Sequence, residues 1–505
     1  MARPELAVVI LAAGKGTRLR SRRAKVLHRA GGRALVEHVI RAARPLGVPR
    51  FVVVGYQSDR VSPLAAALDA KTILQEPQGG TGHALQAARL AIEKFRRALV
   101  VPGDAPLVRT ETLAALVQAH QASGVAATVL TAVLDDPSGY GRIVRGADHL
   151  VRAIVEDKAA DAAQRAIREV NSGIYCFELE KLWASLGDLR PENVHRELYL
   201  TDVVALLNRK GERVAAMATG DAKEILGCNT RRELAEVDAL FRRRKIDELM
   251  AAGVTVYLPE TVLVDPDVEV GPDTVVEPGA ELLGATRIGP DALVGAGCVI
   301  ADSEIAEGVV IRPHSIVISS RVGRGAVVGP FAHLRDGAEL GAGARVGNYV
   351  EMKKSRLGEG SKAMHLTYLG DASVGRETNI GAGTITCNYD GVRKNPTKIG
   401  SRVFIGSGTE LVAPVEVGDG AYVAAGSTIT DSVPSNALAI ARARQENKPG
   451  WALRRRARIA APESAPAPQG KPSPDPPRPK AKPSRAKPGR AKRPRAAKSR
   501  PRRRP

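Results

Sequence analysis

Residues 282–300 read LLGATRIGPDALVGAGCVI, with aliphatic residues six positions apart at Leu282, Ile288, Val294 and Ile300. A period of six fits neither the 3.6-residue repeat of an α-helix nor the two-residue alternation of a strand. It is typical of a solenoid in which each hexapeptide forms a short strand and a turn, three to a coil. Three long series share this spacing: Val264, Val270, Val276, Leu282, Ile288, Val294 and Ile300; Val322, Val328, Leu334, Leu340, Val346 and Met352; Ile399, Ile405, Leu411, Val417, Val423 and Ile429. We therefore predict a parallel β-helix.

The composition of the 505-residue chain limits the remaining possibilities. Hydrophobic residues make up 44% but aromatic residues only 3%, so aliphatic side chains must fill most of the core. The four cysteines (Cys176, Cys228, Cys298 and Cys387) show no CxxC spacing, which argues against a disulfide framework or a zinc site. No run approaches the roughly 18 to 20 apolar residues of a membrane span, and the apolar run 6–13 is short for a signal peptide. We expect a soluble, cytoplasmic protein.

The formal charge of +21 is concentrated at the C-terminus. Residues 461–505 hold 15 Lys and Arg, two acids and 13 of the 33 prolines, with no Val, Ile, Leu or aromatic residue. Such a segment cannot bury enough apolar surface to offset its chain entropy. We predict a disordered basic tail over 452–505, which is either a passive extension or a tether to nucleic acid or another polyanion.

The first 229 residues alternate predicted strands and helices. Apolar runs at 6–11, 50–54 and 98–101 indicate buried strands, and residues 35–43 and 82–94 have helical patterns. This alternation predicts an α/β domain with a mostly parallel sheet, whose ligands bind at the carboxyl ends of the strands.

Glycine-rich and charged segments follow these predicted strands. The first is the glycine turn at residues 11–19 with Arg18, and Lys25 comes soon after it. Its exposed N–H groups and cations suit phosphate, although it matches neither the P-loop nor the Rossmann fingerprint, and alone it could be a plain turn. Asp104 follows the strand at 98–101 and is a natural magnesium ligand beside phosphates.

Residues 231–252 have apolar residues at helical spacing and predict a connecting helix, so we place domains at 1–229, 230–252, 253–451 and 452–505. The basic cluster 242–245 in this helix is interpreted as a solvated face rather than a binding site. The hexapeptide rhythm breaks at 353–372 and 386–398, where polar residues gather. His365 in the first break is a candidate general base, because imidazole can accept the proton of an amine near neutral pH.

Several motifs together carry a resemblance to a known family. They are LAAGKGTRL (11–19), GGTGHA (79–84), GDAPL (103–107), YGRI (140–143) and VNSGIY (170–175), followed by the solenoid. The chain resembles the bacterial bifunctional N-acetylglucosamine-1-phosphate uridyltransferases / glucosamine-1-phosphate N-acetyltransferases, over about residues 5–451. This resemblance implies a Rossmann-like nucleotidyltransferase domain followed by a left-handed parallel β-helix, and a homotrimer that shares the acetyltransferase site. It also implies synthesis of UDP-N-acetylglucosamine for peptidoglycan, lipopolysaccharide and the cell envelope.

The resemblance also implies roles for individual residues. Those expected to bind UDP-N-acetylglucosamine are Leu11, Ala12, Ala13, Gly14, Lys25, Gln75, Gly80, Thr81, Pro102, Gly103, Asp104, Gly141, Glu156, Asn171 and Asn229. Asp104 and Asn229 would hold Mg²⁺, and Pro102 departs from the family by lacking an N–H. His365 would be the acetyltransferase base. Arg335, Lys353, Tyr368 and Asn379 would bind glucosamine 1-phosphate, with Asp336 a departure beside Arg335. Ala382, Asn388, Tyr389, Ser407, Ala425 and Arg442 would bind acetyl-CoA.

Two other interpretations remain at this point. The chain could be a nucleotidyltransferase of another specificity whose solenoid serves only assembly, although a purely structural solenoid has no need of Lys353, His365 and Tyr368. It could also be a nucleic-acid-binding protein that uses the basic tail, but the residue sets in both halves argue against that as its main role.

Overall fold

The computed structural model describes residues 4–191 and 196–460. The described residues form two compact units, which divide between Arg442 and Ala443. Within the described residues, no helix is long and apolar enough to cross a membrane.

Helices and strands alternate through the first part of unit 1, as predicted. The helices are α1 (Leu35–Ala43), α2 (Ser58–Ala66), α3 (Thr81–Ile92), α4 (Thr110–Ser123), α5 (Ala162–Arg165), α6 (Leu179–Leu186), α7 (Asp202–Arg209) and α8 (Arg231–Ala251). The strands are β1 (Leu6–Ala12), β2 (Arg29–Ala30), β3 (Arg33–Ala34), β4 (Arg50–Val54), β5 (Lys71–Leu74), β6 (Arg97–Pro102), β7 (Ala127–Val133), β8 (Arg142–Arg145), β9 (Val151–Val155), β10 (Glu169–Glu178) and β11 (Val214–Ala218). Thr17–Leu19 and Lys25–Leu27 are short 3₁₀ helices.

The main sheet has the order β11-β7-β10-β6-β1-β4-β5. β1 pairs in parallel with both β4 and β6, and β10 is the antiparallel member, between β6 and β7. Buried aliphatic residues of the central strands, such as Val9 and Val100, form one core, and Val8 and Leu99 on the other face form a second. The predicted α/β domain with a mostly parallel sheet is confirmed.

Between residues 255 and 439 the chain forms 30 short strands. They are β12 (Thr255–Val256), β13 (Leu263–Val264), β14 (Glu269–Val270), β15 (Val275–Val276), β16 (Glu281–Leu283), β17 (Arg287–Ile288), β18 (Leu293–Val294), β19 (Val299–Ala301), β20 (Glu304–Ile305), β21 (Val310–Ile311), β22 (Ile316–Ile318), β23 (Arg321–Val322), β24 (Val327–Val328), β25 (His333–Arg335), β26 (Glu339–Leu340), β27 (Arg345–Asn348), β28 (Glu351–Lys353), β29 (Arg356–Leu357), β30 (Lys362–His365), β31 (Tyr368–Gly370), β32 (Ala372–Val374), β33 (Asn379–Ile380), β34 (Ile385–Cys387), β35 (Thr397–Ile399), β36 (Phe404–Ile405), β37 (Glu410–Val412), β38 (Val415–Val417), β39 (Tyr422–Val423), β40 (Thr428–Ile429) and β41 (Leu438–Ala439).

These strands form three parallel sheets in which each strand pairs with the third strand after it, apart from β39 with β41. We call them sheet 1 (from β12 to β41), sheet 2 (from β13 to β40) and sheet 3 (from β14 to β38). The predicted aliphatic positions stack in register, for example Val276 on Val294 and Leu334 on Met352. The predicted hexapeptide β-helix is confirmed.

The coils continue where the six-residue rhythm is interrupted. Ile305, Ile311 and Val317 are buried in the same core, between the first two predicted series. They fall outside the six-residue spacing because two of the steps there are five residues long. The predicted break at 353–372 likewise stays within the coil as β29 to β32. At 386–398 the chain does leave the coil, in a hairpin where Tyr389 bridges Lys394.

Helix α8 connects the α/β part to the solenoid within unit 1. Its Asp238 accepts a hydrogen bond from Gly31 N in the β2–β3 turn at 2.7 Å, and its Phe241 stacks on His38 at a centroid distance of 4.0 Å. Arg242 pairs with Asp238 at 2.9 Å and with Asp265 of the first coil at 3.5 Å. Arg244 donates to Leu107 O at 3.1 Å. The interpretation of 242–245 as a solvated face is therefore wrong for these two arginines, which join segments far apart in sequence.

The tail was predicted to be disordered over 452–505, and this is wrong for residues 452–460. Trp451–Ala460 form helix α9. The sequence WALRRRARIA consists mostly of Ala, Leu and Arg, which have high helix propensity. The predicted disorder of 461–505 falls outside the described residues.

Candidate functional site

A cavity of about 650 Å³ opens at the carboxyl ends of β1 and β6. Thirteen of the fifteen residues predicted to bind the sugar nucleotide line it: Leu11, Ala12, Ala13, Gly14, Lys25, Gln75, Gly80, Thr81, Pro102, Asp104, Glu156, Asn171 and Asn229. These residues are up to 218 positions apart in sequence, so the sheet topology is what brings them together.

The two remaining predicted residues support the wall through their backbones. Gly103 N donates to Leu11 O at 2.8 Å, and Asn171 N donates to Gly141 O at 2.8 Å. Gly103 thereby ties the segment after β6 to the end of β1, and Gly141 fixes Asn171. Pro102 lines the cavity in contact with Gly173, where a Cβ would lie 3.0 Å from the Pro102 ring and the φ of 77° is a conformation that favours glycine.

Lys25 lies between the two proposed metal ligands. Its ammonium forms an ion pair with Asp104 and donates to Asn229 Oδ1 at 2.7 Å. Arg18 donates to the same amide oxygen at 2.9 Å. Asn229 is itself held by its backbone N–H, which donates to Glu233 Oε2 at 2.6 Å. One carboxylate and one amide oxygen therefore face a cationic centre in this structure.

This donor set fits a hard divalent cation. Mg²⁺ is usually held by one or two protein oxygens, together with substrate phosphates and water. No group of three or more His, Cys, Asp or Glu side chains suited to a metal occurs among residues 4–191 and 196–460. The protein would thus provide two ligands, Asp104 and Asn229, and the substrate would have to complete the shell.

Gln75, Gly80 and Thr81 form a second wall at the start of α3. Gln75 Nε2 donates to Gly80 O at 3.0 Å, and Leu200 N donates to Thr81 Oγ1 at 2.9 Å. Gly80 has a φ of 99°, and a Cβ there would lie 2.7 Å from Leu198 O. Only glycine fits this position, which explains the GGTG sequence of the loop.

The end of the cavity away from the glycine turn is lined by Glu156 and has fewer Lys and Arg side chains. Burial raises the pKa of Glu156, whose carboxylate lies 3.4 Å from Thr201 Oγ1. Tyr175, Glu197, Tyr199, Leu200 and Thr201 also line this end. Sequence reasoning did not include these five lining residues in the site. Tyr175 lies inside the VNSGIY motif and could have been included, whereas 197–201 carry no glycine or motif that marks them.

The candidate acetyltransferase site lies on the solenoid around His365. His365 ends β30, is exposed, and its Nδ1 lies 2.8 Å from Asn348 Oδ1 of the preceding coil. An amide oxygen can only accept, so in the neutral ring Nδ1 carries the proton and the free lone pair is on Nε2. This is the tautomer that a general base requires. Sequence reasoning missed Asn348, which belongs to no recognised motif.

Arg335, Lys353 and Tyr368 stand on successive strands of sheet 2. Arg335 pairs with Glu351 at 2.6 Å and with Asp336 at 2.9 Å, so an arriving anion must compete with two carboxylates. The pKa of Lys353 is lowered, chiefly through its hydrogen bond with Lys394, and the same hydrogen bond raises the pKa of Lys394. Lys394 thus adds a cation that sequence reasoning missed.

Of the other residues predicted for this region, Asn388 lies near the sheet 2 cluster, whereas Asn379 and Tyr389 do not. Asn388 donates to Asp371 Oδ2 at 2.6 Å near Tyr368, since a Cβ on Gly370 would contact both Tyr368 and Asn388. Asn379 begins β33 of sheet 1 beside Lys362, so a single chain does not place it on sheet 2 with Arg335 and Lys353. Exposed Tyr389 donates to Gly391 O at 2.7 Å in the hairpin.

Four of the six residues predicted for acetyl-CoA lie along one corner of the prism, whereas Asn388 and Tyr389 do not. Ala382, Ser407 and Ala425 each stand two residues after a sheet 1 strand, in three successive coils. Gly408 N donates to Ala382 O at 2.7 Å and Gly426 N to Ser407 O at 2.8 Å, and the Arg442 side chain approaches Gly426. Small side chains stacked in this way leave room for an extended ligand along the corner.

Comparison with known proteins gives three family models. Residues 8–172 match a MobA-like NTP transferase domain, residues 258–356 a GMPPB C-terminal domain, and residues 396–431 the bacterial transferase hexapeptide (six repeats).

Curated relatives match over nearly the whole chain. The "Bifunctional protein GlmU" of Koribacter versatilis is 48% identical over 90% of this chain and 98% of its own length. The proteins of the same name from Exiguobacterium sibiricum and Corynebacterium efficiens are 47% and 45% identical, over 88% and 92% of this chain and 99% and 97% of their own lengths.

Proposed function

The chain belongs to the family of bifunctional GlmU proteins, and from this premise we infer the reactions of its two halves. It is a transferase that acetylates glucosamine 1-phosphate from acetyl-CoA. It then transfers the uridyl group of UTP to N-acetylglucosamine 1-phosphate, forming UDP-N-acetylglucosamine and pyrophosphate. We assign uridyl transfer to residues 1–229, the link to 230–252 and acetyl transfer to 253–451.

Uridyl transfer is assigned to the cavity around Lys25. The sugar phosphate attacks the α-phosphorus of UTP in line and pyrophosphate leaves, so the protein needs to position charges rather than supply a nucleophile. The glycine turn, Arg18 and Lys25 would hold the triphosphate, and Glu156 and Asn171 would hold the sugar. Mg²⁺ on Asp104 and Asn229 would neutralise phosphate charge.

Acetyl transfer is assigned to His365 and the sheet 2 cluster. Nε2 of His365 would take a proton from the sugar amine, which then attacks the thioester carbonyl and expels CoA thiolate. Arg335, Lys353 and Tyr368 would bind the sugar phosphate, and the small-residue corner would hold acetyl-CoA. The His365–Asn348 hydrogen bond is the single observation that carries this assignment, because a purely structural solenoid does not need an exposed histidine held in its basic tautomer.

We further propose that the protein is a homotrimer. At one corner of the prism His314, Phe331 and Tyr349 stack at centroid distances of 5.2 and 5.6 Å, and exposed Leu366 follows in the next coil. This ladder of large side chains stands directly beside Asn348 and His365, where a neighbouring solenoid would cover it. A second copy could also supply Asn379 to the sheet 2 cluster. Light scattering should give about three times 53.4 kDa, and a monomer with full acetyltransferase activity would contradict the shared site.

The cellular setting and the tail complete the proposal. We place the enzyme in the cytoplasm, where its substrates are made, and expect its product to feed cell-envelope synthesis. The Lys/Arg-rich segment 461–505 suits sequence-independent binding of a polyanion, because it has no aromatic residue with which to stack on bases.

The overall function can be tested directly. Purified protein would be mixed with glucosamine 1-phosphate, acetyl-CoA, UTP and Mg²⁺, and the products followed by mass spectrometry. UDP-N-acetylglucosamine should accumulate only when all three substrates are present. Consumption of a different nucleoside triphosphate in preference to UTP would favour a nucleotidyltransferase of another specificity.

A further inference from the structure

The segment that begins the nucleotide site carries more positive charge than its contacts use. Residues 6–36 contain eight Lys and Arg and no acid. Arg20, Arg22 and Arg23 are exposed, and none of them has a carboxylate partner among residues 4–191 and 196–460. Elsewhere in this chain exposed arginines commonly pair with acids, as Arg321 does with Glu304 and Glu339.

The three arginines stand on a loop that the rest of the domain holds in place. The Gln57 side chain accepts from Ala24 N at 2.8 Å and donates to Arg22 O at 2.9 Å. Tyr56 Oη donates to the same carbonyl at 3.1 Å. At the other end, Arg231 Nε donates to Leu19 O at 3.2 Å. Backbone groups are therefore fixed from both sides, while the three charged side chains form no ion pair within the described part of the chain.

The position of the loop follows from its ends. Arg18 and Lys25 both line the cavity and donate to the same Asn229 oxygen. Only six residues separate them, so no part of the loop is more than about three residues, roughly 10 Å, from the cavity wall. This distance is close to the Debye length of about 8 Å at physiological salt. The charges can therefore act on an anion at the cavity mouth without touching it.

The local potential already affects a neighbouring side chain. The pKa of His28 is lowered, first by burial and then by the charges of Arg231 and Arg23. The opposite end of the cavity carries Glu156. The cations are thus concentrated on the side of the glycine turn, which would direct a triphosphate toward the turn.

We propose that Arg20, Arg22 and Arg23 form an electrostatic capture surface that draws the triphosphate of UTP into the cavity before it reaches the glycine turn. This rests on the proposed function and adds residues that act at a distance. Charge that is preorganised beside a cleft raises association rates and leaves the bound contacts unchanged. The surface therefore sets how quickly UTP is captured, and the side chains on the cavity wall set how long it stays.

The experiment measures binding of a fluorescent UTP analogue with Mg²⁺ to the full chain by stopped flow. A triple variant with Arg20→Gln, Arg22→Gln and Arg23→Gln should associate about tenfold more slowly at about 0.01 M salt, with the dissociation rate unchanged. The difference should close at about 1 M salt. Replacing the same three residues with Lys should preserve the wild-type rate.

A matched control removes three exposed charges far along the chain. Arg287→Gln, Arg321→Gln and Arg356→Gln in sheet 3 lower the net charge by the same amount and should leave UTP association within twofold of wild type. An equal loss in this control would overturn the proposal, because net charge would then be the cause. Faster dissociation with unchanged association would also overturn it, by showing direct contact. Wild-type protein that bound no UTP analogue at any salt would instead contradict the proposed function.

Discussion

Asn348 gives a sharp test of the acetyltransferase assignment. Its Oδ1 accepts from His365 Nδ1 at 2.8 Å, so the neutral ring carries its proton on Nδ1 and presents the lone pair of Nε2. Asn348→Ala removes a hydrogen bond worth about 1 kcal/mol net. The ring can then rotate and adopt the other tautomer, so acetylation should fall about fivefold, since about 1.4 kcal/mol corresponds to a factor of ten.

Asn348→Asp separates orientation from charge. The carboxylate still accepts from Nδ1, so the ring keeps its orientation. The Asp carboxylate also favours the protonated imidazole, which cannot act as a base. The acid limb of the pH–rate profile should therefore move to higher pH by about half to one unit. The rate above that limb should stay close to wild type.

The assay for both variants is CoA thiol release with glucosamine 1-phosphate, followed across pH. Uridyl transfer by the same preparations is the folding control and should be unchanged. Wild-type acetylation by Asn348→Ala at every pH would refute the reasoning. An unmoved acid limb in Asn348→Asp would refute it as well.

Three further predictions concern packing, pH and the tail. A Cβ at Gly347 would lie 2.6 Å from the Met364 carbonyl carbon, so Gly347→Ala should lower the free energy of unfolding by about 1–3 kcal/mol and reduce acetylation. Gly187 has open space around it, so Gly187→Ala should change neither property. Thermal melts measure the stability of both variants, and CoA release measures their acetylation. Burial lowers the pKa of His38 and His120 to about 4, against 6.5 in the unfolded chain. Because the unfolded state then binds more protons, the free energy of unfolding should fall by about 1.4 kcal/mol per pH unit for each histidine as the pH is lowered from 6.5 to 4. His38→Phe should make this slope shallower in urea titrations. Deletion of 461–505 should leave both rates within a few-fold and abolish any salt-sensitive DNA binding in filter assays, and retained DNA binding would contradict the tether.

Much of the fold is predictable because the sequence repeats the same physical requirement in every coil. Each anchor such as Val294 must fill the prism interior, so a six-residue spacing is visible without any structure. The steps of five at Ile300–Ile305 and Val317–Val322 were not recognised, because a shorter turn moves the next anchor out of phase while the coil itself continues.

The site was predictable where backbone geometry requires glycine or where a carboxylate ends a strand. Gly80 and Asp104 are examples of these two signals. The residues that were missed, such as Tyr199, Asn348 and Lys394, act through contacts between segments that carry no local pattern. Asn348 becomes a partner of His365 only because the coils stack in register.

The central claim is that one chain carries two independent sites, and two single substitutions test it most directly. Asp104→Ala removes a proposed metal ligand, and His365→Ala removes the proposed base, whose loss should cost about 10²–10⁴-fold. Both activities would be measured on each purified, folded variant. Asp104→Ala should suppress uridyl transfer and leave acetyl transfer near wild type, and His365→Ala should do the reverse. Equal loss of both activities in either variant would contradict the account.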